Sequence, residues 1–109
     1  MNPDLLRGNL DLILLSLLEQ TPLYGFAILQ AARDQTGGYF EFKEGSLYPA
    51  LHRLEAEGLL SGQPGEVGRN GKPRKYYAIT DQGRQILQHK RQEFAEFTRA
   101  VAQLGKAGA

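Results

Sequence analysis

Apolar residues between Leu5 and Leu18 recur on nearly every face of a helical wheel, which predicts a first helix covered on most sides. The motif TPLYG interrupts that pattern, and Pro22 suits a turn or the first position of a helix. From Tyr24 onward, YGFAILQAARDQTGG predicts a second helix packed through Phe26, Ile28, Leu29 and Ala32 and closed by Gly37 and Gly38. The short YFEF that follows has the composition of an edge strand.

The stretch EGSLYPALHRLEAEGLL predicts a third helix. Ser46 is its expected N-cap, which places Pro49 in the first turn, where a missing amide matters little. Gly58 is its expected left-handed terminator. Next, LLSGQPGEVGRNGKPRKYYAIT predicts a β-hairpin, with the glycines and prolines from Gly62 to Pro73 read as turn residues. Its tip is basic, with Arg69, Lys72, Arg74 and Lys75 and no acid among them. Last comes TDQGRQILQHKRQEFAEFTRAVAQL, a long helix with Thr80 as N-cap and Asp81 favourable to the helix dipole, followed by GKAGA as a frayed tail. The resulting fold class is mainly α with a small β-hairpin: three helices, a hairpin and a long helix.

Composition changes this picture by exclusion. With 109 residues, 41% of them hydrophobic, the chain suits one core. No cysteine is present, which rules out disulfides, thiolate metal sites and cysteine nucleophiles. The longest apolar run, LDLILLSLLEQ, is interrupted by Asp11 and Ser16 and is too short to span a bilayer, and it lacks secretory-signal flanks. A cytoplasmic protein away from the membrane is expected. The formal net charge of +1 decides nothing by itself, so the placement of charge carries the argument.

That placement is uneven on the third helix. At 3.6 residues per turn, Leu47, Leu51 and Leu54 share one side, while Gly45, Tyr48, Pro49, His52, Arg53 and Ala56 fill the other. An ordinary solvated face mixes Lys, Glu and Gln; this one is small and flat, with an aromatic hydroxyl and two donors. Those properties suit duplex DNA. The helix N-terminus favours a phosphate, Ser46 and Tyr48 can donate to another, and Arg53 has the fork to grip a guanine. The basic hairpin would lie along the backbone or in the minor groove. Taken singly, Tyr48 equally suits packing on a neighbouring helix, and His52 and Arg53 suit plain solvation. A flat face followed by a basic hairpin favours nucleic acid. A protein–protein module and an RNA binder are the rivals, the latter weakened by the lack of exposed aromatics on a sheet.

Catalysis finds little support. His52 and His89 fall on separate helices without a partner at ligand spacing, and GEVGRNGK joins two strands where a phosphate loop needs a following helix. No cofactor or metal is expected.

The blocks LYGFAILQ, GSLYPALHRLEAEGLL and GKPRKYYAITDQGR, in this order, resemble the PadR-like transcriptional regulators, which are winged helix-turn-helix proteins. The likeness runs from about Leu10 to Arg84. It implies a homodimeric repressor on a palindromic operator, with residues 1–80 as the DNA-binding domain and 81–109 as the dimerisation helix and tail. It also implies that the helix beginning at Ser46 is the recognition helix, and that Tyr24, Tyr48 and the basic residues of the wing contact DNA.

The last helix carries Leu87, Lys90, Phe94, Phe97, Val101 and Leu104 at spacings of three and four, a seam with one charged intruder. A stripe this long needs cover, and a second chain is expected to supply it, with Leu10 and Leu14 of the first helix facing the seam. Dimerisation would set two recognition helices about 34 Å apart, one turn of DNA. Relatives respond to phenolic acids, hydrophobic drugs or nucleotides between the first and last helices. Here Phe94, Phe97 and Leu10 either line such an effector space or form ordinary interface core. With no tryptophan in the chain, a flat tryptophan sandwich is excluded.

Overall fold

The computed structural model describes residues 2–106. In chain order it contains α1 (Pro3–Leu17), β1 (Leu23–Tyr24), α2 (Gly25–Gln35), α3 (Glu44–Ala56), β2 (Leu60–Val67), β3 (Pro73–Ile79) and α4 (Asp81–Gln103). The strands form one antiparallel sheet in the order β1-β3-β2. Leu23 and Tyr24 pair with Tyr77 and Tyr76, and Leu60 and Ser61 pair with Ile79 and Ala78.

The core lies where the first three helices meet the sheet. Leu14, Leu15 and Leu18 pack with Ile28 and Ala32, with Leu47, Leu51 and Leu54, and with Leu59, Leu60, Tyr77 and Leu87. No polar residue is buried among those described. The dimer seam is thereby corrected at two positions. Leu14 and Leu87 are fully buried within the single chain, so they hold its own core together and have no surface to offer a partner.

Other boundaries move as well. Phe26 was expected in the core but is 59% exposed. It stands about 200° round the helix from Ile28, and Ile28 faces inward. YFEF is not a strand. The Thr36 hydroxyl donates to the Ala32 carbonyl and accepts from the Phe40 amide, which closes the loop locally, while Phe42 plugs the core. Leu23–Tyr24 occupies that edge of the sheet instead. β2 runs on through Gly62, Pro64 and Gly65, with a register shift between Pro64 and Val67, so the turn is confined to residues 68–72.

α3 begins two residues before the expected cap. Lys43 is its N-cap and makes no side-chain cap bond; its carbonyl accepts from the Ser46 and Leu47 amides. Ser46 therefore sits inside the helix and Pro49 beyond the first turn. The acceptor left without a donor there belongs to Gly45, which is exposed to water, and this explains why the proline is tolerated. The C-terminus matches expectation. Gly58, at φ 81°, donates to the Glu55 carbonyl while Leu59 donates to Leu54 and buries its side chain, a Schellman closure.

Thr80 caps α4 as expected, accepting from the Gly83 amide at 3.0 Å. Its hydroxyl also donates to the Gly58 carbonyl at 2.7 Å, so one side chain joins the end of α3 to the start of α4. Further along, Arg91 grips Glu19 with two hydrogen bonds of 2.8 and 3.1 Å. Beyond Arg91 every described residue of α4 is exposed. The radius of gyration is 16.0 Å, against about 13 Å for a compact chain of this length, because that half-helix projects from the body. Of the expected tail, residues 107–109 lie outside the described residues.

Candidate nucleic-acid interface

α3 turns Leu47, Ala50, Leu51 and Leu54 into the core, which leaves Gly45, Ser46, Pro49, His52, Arg53 and Ala56 on the outside. The expected division of its two faces is therefore observed. Tyr48 lies between them, half-buried, its ring laid over the first turn of α2. Gly25 makes room for it: a β-carbon there would overlap the phenol oxygen and ring. Burial, aided by the Glu44 carboxylate, pushes the Tyr48 phenol above its ordinary value, so it remains a neutral donor. Its ring lies 6.5 Å from His52.

Arg53 is already occupied. Its guanidinium donates to both carboxylate oxygens of Asp11 on α1, one at 3.0 Å, and lies 3.6 Å from Glu57. The hydrogen-bonded Asp11 raises the Arg53 pKa. The free fork anticipated for guanine thus ties the exposed face of α3 to α1. No local spacing signals this, because the partners are 42 residues apart.

The wing divides its basic residues in two. Arg69 and Lys72 sit exposed at the tip, with no acidic partner among the described residues. The tip is shaped by the Gly68 amide donating to the Lys72 carbonyl, by Asn70 accepting from the Lys72 amide, and by Gly71 at φ 77°. Arg74 and Lys75, expected at the tip, belong to β3. The Arg74 guanidinium lies 4.3 Å above the Tyr24 ring, which in turn meets Tyr76 edge-on at 5.4 Å. Tyr24 is at once a strand residue and the N-cap of α2.

The Lys75 ammonium reaches Glu55 on α3 at 2.8 Å and lies 5.2 Å from the Tyr77 ring. A β-carbon on Gly62 would overlap the Lys75 side chain, so this glycine admits the bridge between wing and helix. Sequence reading missed Glu55, Asp11 and Gly25 as parts of this surface.

Two of the ion pairs that tie elements together, Glu19 with Arg91 and Glu55 with Lys75, carry a pH dependence. Hydrogen bonds from Arg91 and Lys75 hold the Glu19 and Glu55 carboxyls below the ordinary glutamate value of about 4.5. Because the folded value is the lower one, their contribution is complete above that pH and is lost as pH falls through the folded pKa. Urea midpoints should therefore drop below about pH 4.5, and less steeply in Glu19→Gln. An identical acid-side slope in that variant would show that Glu19 contributes nothing.

A groove of about 590 Å³ separates the wing tip from the starts of α2 and α3, lined by Tyr24, Phe26, Glu44, Arg69, Asn70 and Arg74. A second, largely apolar cavity of about 360 Å³ lies among α1, the α2–α3 loop and Phe94 of α4. Phe97 lines a neighbouring cavity with Asp11, Arg53 and Lys90. Leu10 lines neither of these two and packs at the edge of the core.

The sequence pattern of the transcriptional regulator PadR-like family matches residues 14–89, which span α2, α3 and the whole wing. The chain belongs to the PadR-like family. Two solved structures extend the likeness to the whole PadR-like fold. A transcriptional regulator from Clostridium thermocellum superposes with a TM-score of 0.85 at 32% identity, over 97% of this chain and 99% of that one. A PadR family transcriptional regulator from Eggerthella lenta superposes with a TM-score of 0.83 at 32% identity, over 96% of this chain and 88% of that one. A transcriptional regulator of Mycobacterium tuberculosis is 40% identical over 62 residues, 57% of this chain and 56% of that protein. This chain is therefore a PadR-like transcriptional regulator with a winged-helix fold. No helix among its described residues is long and apolar enough to cross a membrane.

Proposed function

We propose that the chain is a homodimeric repressor that binds a palindromic duplex through α3 and the wing. One observation carries the reading. The outer face of α3 presents Gly45, Ser46, Pro49 and His52 away from buried Leu47, Leu51 and Leu54, and the basic wing is fastened beside that helix, with Lys75 bonded to Glu55 and Arg69 and Arg74 lining one groove with Glu44. Tyr24, Tyr48 and Arg74 flank that face, and Arg69 and Lys72 extend it. Arg53 and Lys75, committed to Asp11 and Glu55, support the surface and reach DNA only where a phosphate or base competes with those carboxylates. Dimerisation is supported by Phe94, Phe97 and Val101 along one side of α4 and by its C-cap Leu104, which are between 44% and 76% exposed. The apolar cavity beside Phe94 has a volume suited to a small aromatic or hydrophobic effector that would release the repressor.

Selection of bound fragments from genomic DNA tests this reading. A palindromic motif should emerge, and affinity for it should fall steeply with salt as phosphate contacts release counterions. Binding without preference over random duplex, or without salt dependence, would refute it and favour a protein-binding winged helix.

A further inference from the structure

We propose that Phe26 is an apolar DNA contact that packs on the hydrocarbon surface of the duplex, either a thymine methyl or the face of a deoxyribose. This rests on the reading of α3 and the wing as a duplex-binding surface, and it assigns a role to a residue outside both.

The argument begins with an exposed ring that the fold does not explain. Phe26 is the second residue of α2 and is 59% exposed, while Gly25, Ile28 and Ala32 of the same helix are buried. The other exposed aromatics have a common context. Tyr39 and Phe94 share the cavity of α1 with Leu5, and Phe97 shares the adjoining one, so a second copy docked there would cover all three. Phe26 lines neither of those two cavities. It lines the groove beside the wing tip, where its companions are Tyr24, Arg69, Asn70, Arg74 and the single acid Glu44.

An apolar ring beside two guanidiniums and one carboxylate calls for a partner that is anionic and apolar within a few ångströms. Duplex DNA offers both, with phosphates alternating with sugar faces and methyl groups along the groove edges. The position fits. Arg74 is stacked on Tyr24, which caps α2 just before Phe26, so one cation and one ring are held side by side. Phosphate contacts made by Arg69 and Arg74 would bring the sugar edge against the ring.

A contact of this kind has a thermodynamic signature unlike that of a cation. Phe26→Ala should weaken duplex binding roughly ten-fold, as expected for partial burial of one aromatic ring, and leave the slope of log affinity against log salt unchanged. Lys72→Ala should instead lower that slope by about one. Phe26→Leu, which keeps apolar surface, should recover most of the loss. Thermal midpoints of all three should match the parent, since both side chains are exposed.

Two arms separate the sources of the apolar contact. If it is a thymine methyl, replacing thymines by deoxyuridine in the selected fragment weakens the parent at one step and leaves Phe26→Ala unaffected. If it is a deoxyribose face, Phe26→Ala loses affinity equally for the selected fragment and random duplex. Parental affinity in Phe26→Ala for both duplexes, with a loss in Lys72→Ala, overturns the proposal and leaves the duplex-binding reading intact. If the parent binds no duplex at all, both fall.

Discussion

Phe97→Glu should dissociate the proposed dimer and lower affinity for a palindromic duplex at least a hundred-fold. Phe97 is 66% exposed in the single chain, and within α4 it lies between Phe94 and Val101 on one stripe. If a second chain covers that stripe, a carboxylate there must enter an apolar interface unpaired, at a cost of about 3 kcal/mol or more. A cost of that size weakens association more than a hundred-fold. Binding to a palindrome suffers further, because the second half-site is no longer held at high effective concentration. Without a partner chain the same exposed substitution changes stability by only about 0.5 kcal/mol and leaves binding alone. Sedimentation equilibrium alongside a duplex titration decides between the two. A variant that remains dimeric removes α4 from the interface. Leu87 is unsuitable for this test, since its burial in the monomer means that a charge there would unfold the chain.

Gly83→Ala should destabilise the protein by about 3 kcal/mol and lower the thermal midpoint by roughly 15 °C. Gly83 is the third residue of α4, where its amide donates to the Thr80 hydroxyl and it packs against Leu59, just past the end of α3. A β-carbon there would overlap the Leu59 carbonyl oxygen and crowd Ile79. Helix propensity works in the opposite direction, favouring alanine by about 1 kcal/mol. The overlap prevails because a backbone carbonyl cannot rotate aside, and Thr80 holds both ends of the junction through Gly58 and Gly83. Gly8 in α1 is the matching control. Nothing lies within 4 Å of its added β-carbon, so Gly8→Ala should be neutral or stabilise by up to about 1 kcal/mol. Chemical denaturation of the pair gives the comparison. Equal effects in both would mean that the α3–α4 junction yields without strain.

Much of this fold was legible because its signals are local. Leu47, Leu51 and Leu54 recur at helical spacing, Gly58 and Thr80 are terminus residues with few alternatives, and KYYAI is β-prone at any position. Failures followed where two local readings competed. Ser46 has the chemistry of a cap, but Lys43, in extended backbone three residues earlier in the chain, starts the helix once Phe42 is anchored in the core. Phe26 is apolar and near Ile28, yet it stands on the far side of the helical wheel from that buried residue and is exposed. Gly62 and Gly65 resemble turn residues, whereas in the sheet they clear space for Lys75 and the Tyr76 ring on β3.

The candidate site was less legible than the fold. Its face could be drawn on a wheel, but the state of each cation on it could not. Arg53 and Lys75 look as available in the sequence as Arg69 and Lys72, and they differ only because Asp11 and Glu55 meet them in space.

By itself, then, the order of residues determined the element types, most of their ends, the inward side of α3 and the membership of the PadR-like family, since each depends on neighbours within a few positions. Tertiary structure alone decided which charges are free, which leucines of the α4 stripe belong to the monomer, and why Gly25 and Gly83 cannot carry a side chain. Those outcomes turn on contacts between residues tens of positions apart, and such contacts exist only after the chain has closed on its core.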